Sequence, residues 1–312
     1  MMMERQRTSS HQHEVLTMHT RVRRMASKRE MYICSLPPVA KQHAAEYLHE
    51  NEEKRDSDIC HILDWLQGQS HLHARRDPVN VVRFLRGCKF DLEKTKRKLS
   101  NYYELRAHCP EWFSQRDPCL PEIQELLQLG VFLPLRRRDS HGRLVVLIRA
   151  AVHDPKKHRQ SDVFKVGKMT LELALEDDET VSVFGVAAVF DLSGVTLGHA
   201  MQLPPHVVKK AVHAWQNCYP VRTKSLDFVN APPHVNIVLN IFRRFMTEKL
   251  RQRVHVHGCS LASLHTVVEP ELLPREYGGT DGTLQDLIDY WQHHVTEKRE
   301  WFLQDERYKA TS

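Results

Sequence analysis

The chain has 312 residues, of which 41% are hydrophobic and 27% charged, values typical of a soluble globular protein with one large domain or a helical subdomain and a core domain. The formal net charge is +6, and residues 1–30 hold seven basic and three acidic side chains. The remainder is therefore basic only locally, which favours a patch on a membrane over the broad footprint expected for nucleic acid. We expect no nucleic-acid partner.

Residues 1–30 lack the apolar central region of a secretory signal, so we expect a disordered extension, with ordered sequence opening at Met31. The seven cysteines never lie closer than 10 residues apart. This spacing contains no CxxC zinc or redox motif, and a disulfide framework is not expected in a chain of this size. We expect free thiols in a reducing environment and a cytoplasmic location.

The first part of the chain is predicted to be helical. Apolar residues recur at three- and four-residue spacing, and glycine or proline ends each run. Asp91 is the expected N-cap of the longest of these helices. The predicted helices cover 59–68, 79–87, 92–107 and 121–129.

From residue 131 the pattern changes to short apolar runs that alternate with helical segments. Strands are predicted at 131–135, 143–150, 184–192, 226–230 and 254–258, with helices at 162–178, 206–218, 235–252 and 284–303. Strands separated by helices indicate βαβ units and a largely parallel sheet. We therefore predict an α/β fold with an N-terminal all-helical subdomain (31–130), an α/β domain (131–280), and a C-terminal helix and tail (281–312).

Segments 162–178 and 207–220 carry more apolar surface than one packing face requires. Small residues beside large aromatics leave room, and an apolar chamber inside an α/β layer is typical of a ligand site. An ordinary three-layer core filled by its own side chains explains the same pattern. The residues concerned are Phe164 and Leu171 in the first segment, and Ala211, Ala214 and Trp215 in the second.

Segment 219–258 concentrates charge around an apolar stretch. It holds two acidic and seven basic side chains, the latter being Arg222, Lys224, Arg243, Arg244, Lys249, Arg251 and Arg253. Its centre, VNIVLNIFRRFM (235–246), is apolar on almost every face, yet a bilayer span needs roughly 18 or more apolar residues. The segment is either a core helix with solvated basic ends or a movable element that covers an apolar interior and meets an anionic membrane.

Four of these cations form two pairs. Arg222 and Lys224 alternate at the edge of a predicted strand, so both point one way. Lys249 and Arg253 lie four apart on the predicted helix 235–252 and should share a face. Two pairs beside an apolar helix predict a cradle for lipid phosphates, although each pair alone is explained by a solvated surface.

No set of residues predicts an enzyme. The chain has no GxGxxG, no phosphate loop and no GxSxG nucleophile elbow. His255 and His257 lie on one side of a predicted strand, but no third ligand is spaced for a metal. The acidic run at 176–179 is typical of a solvated helix end. We predict a binding protein without catalytic residues, metal or cofactor.

Six motifs, in order and closely spaced, resemble the CRAL-TRIO lipid-binding family, particularly the branch of the alpha-tocopherol transfer protein and cellular retinaldehyde-binding protein. The resemblance runs from about Asp77 to Trp301. The motifs are RFLRGCKFD (83–91), NYYELRAHCP (101–110), FDLSGV (190–195), YPVRTKSLDFVNAPP (219–233), FMTEKLRQRVHVHG (245–258) and LLPREYGG (272–279).

The resemblance implies a helical bundle followed by an α/β domain, whose sheet floors a lipid cavity closed by a mobile gate helix. The implied cavity residues are Phe164, Gly167, Leu171, Ala211, Ala214, Trp215, Tyr219 and Val221. The implied gate residues are Val235, Val238, Leu239, Ile241, Phe242 and Met246. The residues that match phosphoinositide-binding positions are Arg222, Lys224, Lys249 and Arg253.

The chain departs from the family pattern at four places. Cys88, followed by Lys89, stands where the vitamin E transfer protein has a basic residue. The gate reads RRF (243–245) where relatives often have Lys-Pro-Phe. Trp215 replaces a smaller aliphatic residue, and Lys168 occupies a position that is apolar in the vitamin E protein. These changes bear on the identity of the ligand.

We expect a monomeric lipid-binding and transfer protein that carries one tocopherol, retinoid or similar isoprenoid and associates transiently with phosphoinositide-bearing membranes. The alternatives are a phosphoinositide-binding signalling adaptor with a filled core, and an enzyme acting on a sequestered lipid. A ligand that co-purifies with the protein distinguishes the first two. The enzyme requires an acid/base pair in the chamber.

Overall fold

The computed structural model describes residues 31–233 and 235–311. The extension expected at residues 1–30 lies outside the described residues. The first described elements are the helices α1 Pro38–Leu48, α2 Glu52–Gly68, α3 Pro78–Gly87, α4 Leu92–His108, α5 Pro110–Phe113 and α6 Pro121–Leu129. Asp91 caps α4 by accepting a 2.9 Å hydrogen bond from the backbone nitrogen of Lys94, which confirms the predicted helix start.

The sheet has the strand order β1-β2-β3-β4-β5 among the described residues. The strands are β1 Phe132–Pro134, β2 Leu144–Arg149, β3 Val186–Asp191, β4 Thr223–Val229 and β5 Val254–Val256. Strand β1 pairs with β2 in antiparallel fashion, and every later pair is parallel. The predicted α/β fold with a mostly parallel sheet is confirmed.

Helices connect and cover the strands. They are α7 Gln160–Asp177, α8 Thr180–Phe184, α9 Leu197–Met201, α10 Pro205–His213, α11 Val235–Phe245, α12 Glu248–Arg251, α13 Leu261–His265, α14 Leu284–Glu297 and α15 Arg299–Asp305. Short 3₁₀ turns lie at Pro270–Leu272 and Arg275–Tyr277. Helix α8 was not predicted, and its residues displace the start of β3 from the expected 184 to Val186.

The predicted helix 284–303 breaks at Lys298, between α14 and α15, so its predicted extent was wrong. Two further predicted helices, 206–218 and 235–252, are interrupted, and their predicted extents were also wrong. Segment 206–218 ends as an α-helix at His213 and continues as a π-turn over Ala214–Cys218, because the Tyr219 nitrogen donates to the Ala214 carbonyl five residues back. Segment 235–252 breaks after Phe245, and α12 starts again at Glu248. Both interruptions lie beside the candidate site.

The C-terminal segment ties the helical part to the α/β part. The Trp291 indole of α14 donates to the Pro134 carbonyl of β1 over 2.8 Å. Beyond α15, Ala310 forms an isolated bridge with Leu72, and its nitrogen donates to the Tyr103 carbonyl over 2.9 Å. The tail therefore packs between α2 and α4 and holds the N-terminal helices against the rest of the molecule.

Candidate functional site

A row of apolar side chains crosses one face of the sheet. The strand register places Phe132 opposite Ile148, Ile148 beside Phe190, and Phe190 beside Phe228. The rings of Phe190 and Phe228 stack with centroids 4.6 Å apart. Ile148 and Phe190 stay partly exposed although hydrogen-bonded strands flank both. Their exposure therefore arises from space above the sheet, and we call this row the floor.

Helix α7 lies against one end of the floor. A Cβ built on Gly167 would come within 3.2 Å of the Phe132 ring, so the missing side chain allows the helix to approach β1 closely. Phe164 and Leu171 are half-buried and pack on the main core. The Phe164 ring meets the Trp112 ring edge-on at 5.2 Å between centroids. These three predicted cavity residues thus lie together on one wall.

The other predicted cavity residues divide into two groups. Ala211, Ala214 and Val221 are buried in the same core as Phe164 and Leu171. Trp215, on the π-turn, stays half-buried with its ring 6.1 Å from Phe190 of the floor. The π-turn therefore lies beside the floor, with part of the Trp215 side chain exposed.

Tyr219 has a polar role that the sequence did not indicate. Its hydroxyl donates to Glu172 Oε1 over 2.8 Å, and burial raises its pKa. Arg116 binds the other oxygen of Glu172, and Asp305 accepts from Arg116 and from Arg106 at 2.7 Å each. We call Arg106, Arg116, Glu172, Tyr219 and Asp305 the buried ion network. Every charged group in it contacts an opposite charge, as buried ions require.

Helix α11 covers the Phe228 end of the floor. Val235, Leu239 and Met246 are buried, and two partly buried gate residues pack on the same cluster as Phe228 and Ala188. The gate residues that pack there are Ile241 and Phe242. Val238 is also partly buried, but it is not part of that cluster. Ile237 is 69% exposed, so this helix leaves an apolar side chain in water, which a core helix buried on every face would not do. The helix is amphipathic with an apolar side chain on its outer face.

One side chain of the π-turn bridges the break in the gate segment. The Gln216 amide donates to the Phe245 carbonyl over 3.0 Å and accepts from the Thr247 nitrogen over 2.8 Å. These bonds satisfy the backbone groups that the interruption of the helix leaves free. The C-terminal end of α11 is therefore held to the π-turn by a pair of hydrogen bonds.

The four predicted phosphate-binding cations converge on one surface. Lys224 lies on β4 and Arg222 just before it, whereas Lys249 lies on α12 and Arg253 in the turn before β5. The prediction that Lys249 and Arg253 share a helix face was wrong, because α12 ends at Arg251. Arg253 instead donates to the Thr223 carbonyl, and Arg222 donates to the Val183 carbonyl. We call these four residues, with Lys89, the basic rim.

The electrostatics of the basic rim are unfavourable without an anion. Within the described ranges, no carboxylate lies within 4.0 Å of a nitrogen of Arg222, Lys224, Lys249 or Arg253. Burial and Arg253 lower the pKa of Arg222 to about 10. Burial, Arg222 and Arg253 lower the pKa of Lys224 to about 8, and burial and Arg253 lower the pKa of Lys249. Like charges held together in this way favour binding of an anion.

Lys89 also belongs to the basic rim, although the sequence marked its position only as a departure from the family pattern. Its charge lowers the pKa of Lys224 and of Lys249, so it lies near both. The residue has a left-handed backbone conformation, with φ of +58°, at the end of α3. Gly87 packs against the Pro220 backbone, where a Cβ would come within 3.1 Å. This close approach brings the α3 turn to the rim.

Two exposed apolar side chains of helix α9 were not predicted from the sequence. Leu197 and Met201 of α9 are 73% and 74% exposed, and with Ile237 of the gate they are among the most exposed large apolar residues. Leu197 and Met201 lie four apart and therefore share a face of α9. Their positions in a polar-looking segment gave no periodic signal. Exposed apolar side chains of this size are typical of a surface that contacts lipid or protein.

Metal-ligating side chains do not cluster in residues 31–233 and 235–311. No group of three or more His, Cys, Asp or Glu side chains there could hold a metal ion. His257 Nε2 donates a 2.9 Å hydrogen bond to Asp227 Oδ1, while His255 is exposed. All seven cysteines are free thiols. In the part of the chain described, no helix is both long and apolar enough to cross a bilayer.

Comparison with known proteins agrees with this architecture. The CRAL/TRIO domain model matches residues 129–279, and the Pinta-like, UBA domain model matches 51–123. An alpha-tocopherol transfer protein-like protein of Mus musculus is 32% identical over 254 residues, which is 81% of this chain and 73% of that protein. Clavesin-2 of Homo sapiens is 31% identical over 245 residues, covering 78% and 75%.

A solved structure shows the same fold. The crystal structure of Sfh5 matches with a TM-score of 0.53 at 16% identity, covering 88% of this chain and 99% of that chain. A sheet with an apolar floor, covered by an amphipathic helix beside unpaired cations, defines a lipid-binding class of protein. The chain belongs to the CRAL-TRIO family.

Proposed function

We propose that this protein binds one small apolar lipid above the floor and exchanges it at phosphoinositide-bearing membranes, without chemical change to the lipid. The observation that carries the proposal is the partly exposed apolar row on interior strands beneath the gate helix. Water-exposed Phe and Ile side chains inside a fold are costly unless a ligand covers them. Membership of a lipid-binding family supports the same interpretation.

The size of the expected ligand follows from the energetics. A lipid of about 20 to 30 carbons contributes roughly 10 kcal/mol or more at about 0.8 kcal/mol per buried CH₂, before the cost of ordering the gate. Polar contacts are not required for tight binding. A tocopherol, a retinoid or a similar isoprenoid meets this size, and one relative is an alpha-tocopherol transfer protein-like protein.

The basic rim supports membrane docking. A phosphoinositide headgroup would relieve the mutual repulsion of Arg222, Lys224, Lys249 and Arg253. The same docked orientation would let Ile237, with Leu197 and Met201, enter the lipid layer. Opening of the gate would then be rare in water and favoured on anionic membranes, because only the membrane covers its apolar faces. The protein would be cytoplasmic, monomeric and transiently membrane-associated.

One observation favours the signalling adaptor instead. Ala211, Ala214, Tyr219 and Val221 are buried in the main core. If the whole chamber were filled in this way, the protein would dock at phosphoinositides without carrying a lipid.

Native mass spectrometry of the freshly purified protein tests the proposal. We expect an adduct of one apolar lipid per chain, and organic extraction should recover that lipid unchanged. A Trp215→Leu variant, which widens the space next to Phe190, should carry a broader set of lipids. An adduct-free protein that still binds phosphoinositide vesicles would support the adaptor.

A further inference from the structure

Helix α7 carries a buried lysine that neither the fold nor the basic rim explains. Lys168 is 6% exposed and lies one turn after Phe164, on the wall beside the floor. Its Nζ lies 4.2 Å from the centroid of the Trp112 ring, 5.1 Å from that of Phe164 and 6.0 Å from that of Phe113. Three aromatic faces surround the ammonium group. Such contacts compensate only part of the cost of burying a charge.

The anions near Lys168 are already occupied. No ion pair or hydrogen bond involves Nζ among the residues that the structure describes. Glu172, one turn further along α7, is the neighbouring carboxylate, but Arg116 binds its Oε2 and Tyr219 donates to its Oε1. Cys109 and Cys218 also face Lys168, and burial raises the pKa of both thiols, to about 12 for Cys218, so neither supplies an anion.

Lys168 leaves one positive charge in this part of the interior without a negative partner. The buried ion network contains two cations, Arg106 and Arg116, and two anions, Glu172 and Asp305, and it is balanced. Lys168 adds a third cation to the same interior without a third anion. Lys165, one turn earlier, shows the contrast, because its Nζ lies 3.8 Å from Asp162 and 3.4 Å from the Gln115 carbonyl.

We propose that Lys168 binds the polar end of the lipid, and that this lipid ends in a single carboxylate, which selects a retinoid or isoprenoid acid over a tocopherol. The inference rests on the proposed function, since it assumes that a lipid occupies the space beside Phe164. The carboxylate would supply the anion that the interior lacks, while Trp112, Phe113 and Phe164 would shield the pair from water. The apolar chain would extend over the floor toward the gate.

The test compares an acid with its neutral ester on the same chain. Purified, lipid-stripped protein is titrated with the fluorescent polyene fatty acid cis-parinaric acid and with its methyl ester. We expect the wild type to bind the acid at least tenfold more tightly, and Lys168→Met to bind acid and ester equally. Lys165→Met is the matched control, a neutralised buried lysine one turn away, and it should keep the acid preference.

The outcomes separate the two proposals. If the wild type binds acid and ester equally, Lys168 has no role in recognition, while lipid binding itself stands. If neither probe binds, the proposed lipid-binding function is contradicted along with this inference.

The pH dependence of binding to the wild-type protein is a second test that needs no variant. Burial lowers the pKa of Lys168 to about 8, so affinity for the acid should fall as pH rises above 8 while affinity for the ester stays constant. A flat profile for the acid would overturn the inference.

Discussion

The molecule holds two groups of basic side chains in opposite electrostatic situations. In the buried ion network, Arg106 and Arg116 each contact a carboxylate at 2.7 Å. In the basic rim, Arg222 donates to the Val183 carbonyl, and burial and neighbouring cations lower the pKa values of Arg222 and Lys224. Paired cations hold the fold together, whereas unpaired cations are left for a ligand. Lys168 is buried like the first group and unpaired like the second.

The largest effect is expected from breaking the paired group. Asp305→Ala removes the carboxylate that Arg106 and Arg116 share, which leaves two buried guanidiniums with one remaining carboxylate. Losing one partner of a buried ion pair costs about 3–5 kcal/mol. Urea unfolding should show a loss of this size. A loss under 1 kcal/mol would mean that the network is not structural.

The next effect concerns the buried but unpaired Lys168. Its folded pKa of about 8 lies below the ordinary 10.5, so the unfolded chain binds more protons between these values and stability rises with pH across that window. Lys168→Met should therefore stabilise the ligand-free protein by about 1–3 kcal/mol at pH 7, and the gain should shrink from pH 8 toward 10.5. Melting curves at several pH values measure it. A destabilised variant at pH 7 would place Lys168 among the structural cations.

A smaller effect is expected at the basic rim. Lys249→Ala should weaken binding to vesicles containing phosphatidylinositol bisphosphate about fivefold, since one cation near a membrane is worth about 1 kcal/mol. Stability should not change, because Lys249 is exposed. Lys298→Ala, another exposed lysine, is the control for a general loss of charge. Equal effects of the two variants would remove the special role of the rim.

The smallest expected effect is a change of vesicle binding with pH. Lys224 has a pKa of about 8 in the free protein, and a bound phosphate would raise it. Vesicle binding should therefore weaken as pH rises through 8, because the Lys224 ammonium group of the unbound protein then loses its proton. Lys224→Arg keeps the charge and should flatten this profile. A wild-type profile that is already flat would exclude Lys224 from the contact.

These contrasts show which features sequence could predict. Hydrophobic periodicity and the strand–helix alternation predicted the α/β fold. Residue spacing alone did not place the four cations, because the helix face predicted for Lys249 and Arg253 does not exist beyond Arg251. The sequence could not predict which charged side chains form ion pairs, because the partners lie far apart along the chain. Glu172 and Arg116 meet across the core, for example.

The interruptions of the two helices were equally hidden. The π-turn at Ala214–Cys218 and the break after Phe245 depend on each other through Gln216, which bonds to both sides of the break. Helix propensity along either segment gave no reason to stop. Ile237 shows that composition does not predict burial, because this apolar side chain in an apolar helix is exposed. The proposed membrane contact would cover this side chain.

The central claim is that the gate opens on anionic membranes and that the basic rim brings it there. The most direct test measures the release of bound cis-parinaric acid into buffer, into phosphatidylcholine vesicles and into vesicles that also contain phosphatidylinositol bisphosphate. Release should be fastest into the last, and Ile237→Asp should slow it while leaving equilibrium binding of the probe nearly unchanged. Equal release rates in all three conditions would contradict the account.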